Sequence, residues 1–495
     1  MSTRVERPVR RTGRLITAFA GAVLLTVSFT STAAASTTLL QISSDPYTNT
    51  ISQHKTEVEP DTLSVGSTIV SAFQVGRIFN GGAANIGFAT STNGGKAWTS
   101  GFLPGTTPFS TPPSAVWARS SDPSVAFDAK HGVWLISFLG LFPNGAGSTV
   151  DVLVSRSTDG GLTWSNPVAV NTDGHFNDKN WTVCDNTASS PFYGNCYTEF
   201  DDNTLGDLIQ MSTSSDGGLT WGPGLPTANS AHGIGGQPLV QPSGRVIVPI
   251  NGFAGVNFLV VSFTSDNGGA SWGKTNIVAR VAFHHAAGGI RDSIPLPSAE
   301  LDAAGKAYVV WSDCHFEPTC QASDLVLTTS TDGKAWSRLT RIPLDPIGSG
   351  VDHFIPGLAV DRTTSGNSAH LVVTFYYYPV SSCTTATCQL NVGYATSGDG
   401  GATWTANTQL AGPMSLTWLP NTTQGFMVGD YISTSFSGAP AYPAFALANA
   451  PSGGLFDEGT YTVRGGLSVA GAIAARDQTS AGSSDTLTSS SVTAQ

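Results

Sequence analysis

The chain has 495 residues, of which 56 are Gly and 28 Pro, with 12% charged and 9% aromatic residues. A hydrophobic content of 40% is enough to build a core, which excludes general disorder, and the length suits two ordinary domains or one large closed β architecture. Lys and Arg total 23 against 34 Asp and Glu, a net charge of −11, so no nucleic-acid partner is expected, because phosphate binding needs a concentrated positive field.

The N-terminus carries Arg4, Arg7, Arg10, Arg11 and Arg14, then an apolar run from Leu15 to Phe29, then small residues around Ala33 and Ala35. This pattern predicts a secretory signal peptide over residues 1–35, cut after Ala35. A membrane anchor is the alternative, but a run of about 15 residues is short for a bilayer. Removing the segment takes five Arg and one Glu from the totals and leaves a net charge of −15. No other segment reads as long and apolar enough to span a membrane. A secreted, extracellular protein is expected, and six Cys then suit disulfides. Residues 466–495 are Ser/Thr/Ala-rich without periodicity and are expected to form a disordered tail, which leaves 36–465 as one domain.

A repeat organises that domain. STNGGKAW ends at Trp98, STDGGLTW at Trp164, SSDGGLTW at Trp221, SDNGGASW at Trp272 and SGDGGATW at Trp404, with a shorter STDGKAW ending at Trp336. The intervals between these Trp are 66, 57, 51, 64 and 68 residues. Each copy has the chemistry of a tight hairpin turn: Asp or Asn accepts hydrogen bonds from the following amides, and Gly supplies the positive φ. These Asp are therefore read as turn-formers rather than catalysts.

A second signature lies upstream of each turn: a polar residue, often Pro, then a strand, a turn and a second strand. Copies start at Glu59, Asp122, Lys179, Gln237, Leu296, Ile355 and, more loosely, Gly429. Units of four short antiparallel strands at this spacing predict an all-β fold, a β-propeller. Seven signatures against six turns favour seven blades, with the last closed by the N-terminal run TLLQIS (38–43). Six blades and an odd hairpin are the alternative.

The Ser-x-Asp-x-Gly-x-Thr-Trp turn resembles the Asp-box, or BNR, repeat of the sialidase superfamily, over about residues 50–450. The segment GIGGQPLVQPSGRVIVP (233–249) is similar to a sialidase strand with a Gly-rich approach. The resemblance implies a site of three Arg gripping a carboxylate, a Tyr nucleophile with its Glu partner, and an Asp acid/base. Tyr431 stands where the late Tyr would fall. The Phe-Arg-Ile-Pro motif is absent, no carboxylate stands at Leu296 to Ser298, and Trp311-Ser312-Asp313 replaces the next expected Arg. Ordinary sialic-acid hydrolysis is therefore not the expectation.

Loop arithmetic on the propeller puts one group of residues on a single face, away from the Asp-box turns. The candidate catalytic residues there are Asp178, Asp313, Asp352, Asp430 and Tyr431. Candidate substrate-binding residues are Arg77, Arg119, Arg291, His285, His353 and Tyr377. Two carboxyl groups at such a mouth could serve as acid and base in glycoside hydrolysis. Each of these acids can equally be a loop cap, and each His a hydrogen-bonding surface group. Phe142, Trp418 and Tyr376 to Tyr378 could offer sugar-stacking surfaces. Cys184–Cys196, Cys314–Cys320 and Cys383–Cys388 are the simplest disulfide pairs; the Cys spacings do not form zinc knuckles, and no metal or cofactor is expected. The reading leans to a monomeric, secreted sialidase-like glycoside hydrolase acting on an extracellular glycan or glycoprotein. The alternative is a non-catalytic glycan- or protein-binding propeller.

Overall fold

Runs such as VWLISFLGL (133–141) and LVVTFYYY (371–378) are apolar or aromatic at nearly every position, so both faces of the strand need cover. Every residue of these two strands except Leu141 is buried. The computed structural model describes residue 3 and residues 38–143, 149–254, 257–292 and 294–469. The expected signal segment, residue 3 apart, and the expected tail beyond 469 lie outside the described residues.

The described chain is all-β. Strand β1 (Leu39–Gln41) precedes antiparallel strands that fall in chain order into seven units, the first, second and last of them joined in one 12-stranded sheet. The first holds β2 (Ser52–Val65), β3 (Thr68–Ile78), β4 (Ala83–Ser91) and β5 (Thr99–Phe102). The second holds β6 (Arg119–Asp128), β7 (Val133–Leu141), β8 (Val150–Ser157) and β9 (Val168–Asn171). The third holds β10 (Asn177–Cys184), β11 (Cys196–Asp202), β12 (Leu208–Ser214) and β13 (Leu225–Pro226). In the fourth, β14 (Gly233–Ile234) and β15 (Leu239–Val240) both pair with β16 (Val246–Ala254), followed by β17 (Asn257–Ser265) and β18 (Asn276–Arg280). The fifth holds β19 (Ser298–Leu301), β20 (Ala307–Asp313), β21 (Asp324–Ser330) and β22 (Thr340–Arg341). The sixth holds β23 (Asp352–Val360), β24 (Leu371–Tyr378), β25 (Gln389–Ser397) and β26 (Thr408–Ser415). A small hairpin, β27 (Asn421–Thr422) and β28 (Gly425–Phe426), leads to the last unit, β29 (Ser433–Phe436), β30 (Ala441–Ala448) and β31 (Glu458–Val463). That unit gains its outer strand from the N-terminal run: β1 pairs antiparallel with β31, Leu39 opposite Val463. The otherwise free edge of β31 is thereby covered.

The Asp-box turns have the expected chemistry. In the second unit Gly161 N donates to Ser157 Oγ at 2.9 Å and Thr163 N to Asp159 Oδ1 at 3.0 Å. Gly161 has φ +82°, and a Cβ there would lie 2.7 Å from Val70 Cγ2 of the preceding unit. Its carbonyl accepts from Thr90 Oγ1 at 2.6 Å. The same residue therefore closes a turn and welds two units. The box Trp pack into the clusters between units; Trp272, for example, lies against Tyr197 and Phe263. All three expected disulfides are present, Cys184–Cys196, Cys314–Cys320 and Cys383–Cys388. Among the described residues, no helix is long and apolar enough to cross a membrane.

Candidate functional site

The second repeated signature has a specific backbone consequence. In four units the first strand breaks register: between Val58 and Asp61, Ser121 and Ser124, Asp178 and Trp181, and Phe354 and Gly357. At these breaks Glu59, Asp122, Lys179 and Ile355 have positive φ values of 53°, 51°, 49° and 51°. A non-glycine residue in this left-handed region costs about 1 kcal/mol or more, and such bulges re-aim side chains. Here they aim three charged groups at one place. Lys179 Nζ lies 2.9 Å from Asp122 Oδ2 and 3.6 Å from Glu59 Oε1, and also bonds Asp430.

Arg291 completes the cluster from the chain ahead of β19. Its Nε donates to Asp430 Oδ1 at 2.6 Å, and its Nη2 bonds the other carboxylate oxygen. The loop carrying Arg291 is held by the small hairpin, since Arg291 N donates to Phe426 O at 2.7 Å. Arg77, buried at the end of β3, donates from Nη1 to Gly82 O at 2.7 Å and from Nε towards Met427 Sδ at 3.1 Å. Gln74 bonds Glu59 and Ser121 and so ties the first two units together.

The charges here set one another. Burial disfavours both ionised groups of the Arg291–Asp430 pair, but the pairing outweighs it: Arg291 is raised, and Arg291 and Lys179 hold Asp430 well below the usual carboxylate range. Lys179 is likewise raised despite burial, because Asp122, Asp430 and Glu59 surround it. Burial pushes Glu59 up to about 8, with Asp122 adding to the shift and Lys179 opposing it. Burial and then the neighbouring Arg291 lower Arg77 to about 10.

An open cavity of about 130 Å³ lies over this cluster, lined by Asp178, Lys179, Arg291, Asp292, Gln424 and Asp430 together with Ile234, Ile294, Leu296 and Ile355. It adjoins a second, small space of about 30 Å³ that reaches Trp181 and Tyr431. Asp178 is half-buried, and burial and then Asp122 push its carboxyl up to about 6 against the pull of Lys179. Asp292 is pushed up to about 7 by burial, although Ala286 N donates to it at 3.0 Å. One cavity therefore holds a carboxylate kept ionised, Asp430, and two carboxyls with pKa values near neutrality, Asp178 and Asp292. Asp430 is thereby driven apart from Asp178 and Asp292, the kind of separation that gives carboxyls at one centre different roles.

The other residues singled out from sequence stand elsewhere. Asp313 accepts from Trp311 Nε1 at 3.1 Å and from His315 N at 2.8 Å, as a loop cap does. Asp352 accepts from Ser323 N at 2.7 Å and faces His284 at 3.2 Å. His353 is buried, with Nδ1 3.3 Å from Ser323 O and its ring against Phe375 and Tyr377. His285 Nδ1 lies 3.2 Å from Asp292 O, next to the cavity wall. Tyr431 reaches the deeper space, but its hydroxyl donates to Pro123 O at 2.9 Å and its ring packs on Trp181. Burial and the adjacent Glu59 and Asp122 raise the Tyr431 phenol well above its ordinary value, which disfavours a phenolate nucleophile. Tyr376, Tyr377 and Tyr378 are all buried within β24 and offer no open stacking face. Arg119 is not among the residues that line the cavity; it donates to Asn80 Oδ1 at 2.7 Å rather than joining Arg77 and Arg291.

Glu59, Asp122 and Lys179 carry no candidate role from sequence, yet they build the floor of the site. The available signal is the charged residue at the head of the repeated strand, before Pro60, Pro123 and Asn180. Asp201 also escapes sequence reasoning as a site group. Asp201 sits directly opposite Asp178 across β10 and β11, fully buried, with both carboxyl oxygens unpartnered. Burial and Asp178 hold its pKa well above the ordinary value.

Residues 146–357 match the family described as the BNR repeat-like domain. No curated protein matches the chain. Among solved structures, a Hadza microbial sialidase is similar at 13% identity and a TM-score of 0.44, over 81% of this chain and 73% of that one. An ulvan lyase, described as a new family of polysaccharide lyase, is similar at 12% identity and 0.49, over 84% of this chain and 96% of that one. The NanB sialidase from Streptococcus pneumoniae is similar at 14% identity and 0.43, over 87% and 71%.

Proposed function

We propose that this chain, whose residues 146–357 carry a BNR repeat-like domain, is a secreted glycoside hydrolase on a seven-bladed β-propeller of sialidase-like fold, acting on an extracellular glycan. The observation that carries the reading is the cavity in which Asp178, Asp292 and Asp430 meet. Asp292, with a pKa of about 7, is the protonated acid that gives its proton to the leaving glycosidic oxygen. Asp178, at about 6, is the ionised partner that takes a proton from water or attacks the sugar. Asp430 stays ionised and fixes Lys179 and Arg291, and the Arg291 N–H groups not directed at Asp430 orient sugar hydroxyls.

The same geometry argues against sialic-acid hydrolysis. A carboxylate grip needs guanidinium groups free to converge, but Arg291 is already bidentate on Asp430 and Arg77 is spent on Gly82 O and Met427. Secretion is supported by the 1–35 pattern and by three disulfides, which persist in oxidising compartments. Seven blades are supported by the seven units and by the β1–β31 pairing. The mature protein is taken as a monomer.

Incubating purified protein with a sialoside and a panel of plant, algal and animal polysaccharides, and assaying new reducing ends, tests the reading. Release from at least one polysaccharide and none from the sialoside is expected. One observation favours the alternative of a non-catalytic glycan- or protein-binding propeller: Asp430 is saturated by its two cations. Saturable glycan binding with no product would establish that alternative.

A further inference from the structure

Residues 78–82 form a tight turn between β3 and β4. Ile78 N donates to Gly82 O at 2.8 Å and Gly81 N to Ile78 O at 3.1 Å. The turn lifts Phe79 out of the sheet, where it is 50% exposed although β3 and β4 around it are buried almost throughout. Phe79 is tied to the cavity wall through the backbone: its carbonyl accepts from Thr423 N at 3.0 Å, and the next residue, Gln424, lines the cavity. On its other side Arg119 lies across the same turn. A Cβ at Gly82 would stand 3.0 Å from Arg119 Cβ, so only glycine lets the side chain lie this close. Arg119 Nη1 donates to Asn80 Oδ1 at 2.7 Å and to Gly81 O at 3.0 Å, which fixes the guanidinium.

Arg119 differs from the cations of the cavity floor. Among the described residues it makes no ion pair, whereas Lys179 and Arg291 are each bonded to Asp430. A preorganised guanidinium without a carboxylate partner, bonded to the turn that carries an exposed aromatic ring, matches a pyranose that stacks one face on the ring and carries an anionic group at its edge.

We propose that Phe79, Asn80 and Arg119 form a sugar subsite at the cavity rim, adjoining the Asp178–Asp292 centre and selecting a residue that bears a carboxylate or sulfate. This names the substrate class, an acidic polysaccharide, and in that respect rests on the hydrolase reading above. The subsite itself needs only binding. A uronate and a sulfate ester present the same chemistry to Arg119, and the test separates them.

Calorimetric titration of the intact protein tests the proposal with hexasaccharides of oligogalacturonate (carboxylate), κ-carrageenan (sulfate) and cellulose (neutral). At least one anionic probe is expected to bind more tightly than cellohexaose. Arg119→Gln is expected to weaken that probe roughly tenfold or more while leaving cellohexaose unchanged, and Phe79→Ala to weaken both. Unchanged melting temperatures show that each variant is folded. The carboxylate or the sulfate is assigned by which probe shows the Arg119 dependence. The proposal is overturned if neither anionic probe outbinds the neutral one, or if Arg119→Gln binds like the unsubstituted protein. Arg119-dependent binding without any hydrolysis would sustain the subsite and refute the hydrolase reading.

Discussion

The Arg291 guanidinium reaches Asp430, 139 residues further along the chain, and donates from Nε to Oδ1 at 2.6 Å. This pair joins the approach to the fifth unit to the approach to the seventh, and Lys179 of the third unit bonds the same carboxylate. A structural tie and the electrostatics of the site therefore share one residue. Removing one partner of a buried pair leaves the other charges unpaired. Asp430→Asn is expected to destabilise the fold by about 3 kcal/mol, read as a lower urea midpoint at unchanged slope. An unchanged midpoint would contradict the pairing.

The two carboxyls of the cavity set a pH window. Asp178 must be ionised and Asp292 protonated, and their pKa values are about 6 and about 7. The rate of glycan hydrolysis is therefore expected to rise through about pH 6 as Asp178 ionises and to fall above about pH 7 as Asp292 loses its proton. A narrow bell should appear in kcat/KM. A profile flat from pH 5 to pH 9 would exclude this pair of roles.

The Asp-box turn should govern stability without touching chemistry. Gly161→Ala places a methyl group 2.7 Å from Val70 Cγ2 at a φ of +82°. A cost of about 1–3 kcal/mol is expected from overpacking and backbone strain. Asp159→Ala removes acceptors for Leu162 N and Thr163 N and is expected to cost about 1 kcal/mol. Chemical unfolding measures both, and binding of any glycan ligand should be unaffected.

Stability should also depend on pH through Glu57. This buried side chain accepts from Ser43 Oγ at 2.6 Å, and burial pushes its pKa up to about 8. Between the ordinary value of 4.5 and about 8 the folded state keeps a proton that the unfolded chain releases. The contribution is full below about pH 4.5 and is lost as the pH climbs to about 8, with a slope of up to about 1.4 kcal/mol per pH unit. Glu57→Gln should remove this part of the slope in denaturation curves taken from pH 5 to pH 8. A variant with the same slope as the parent would show that Glu57 is ionised in the folded state.

Much of the architecture can be read from local chemistry. The Ser91-to-Trp98 turn and its five relatives carry their own hydrogen-bond acceptors and glycines, so they form wherever they occur. The disulfides follow because each pair is close along the chain, as Cys383 and Cys388 are. The site is harder to read because its residues come from distant units. Nothing local to Glu59, Asp122 or Lys179 says that their strands bulge towards a common point; it takes three simultaneous register breaks in separate units. Tyr377 and His353 look like mouth residues by loop arithmetic, yet both are buried within the sixth unit, where the aromatic run of β24 is needed for packing.

The most direct measurement compares the unsubstituted protein with Asp292→Asn and Asp178→Asn for release of reducing ends from the best glycan substrate. Each substitution keeps the shape and removes the acid or the base, a change worth about 10²-fold or more. The account predicts that both variants melt like the parent and lose about that much rate. Parent-level hydrolysis by Asp292→Asn, or no hydrolysis of any glycan by the parent protein, would contradict it.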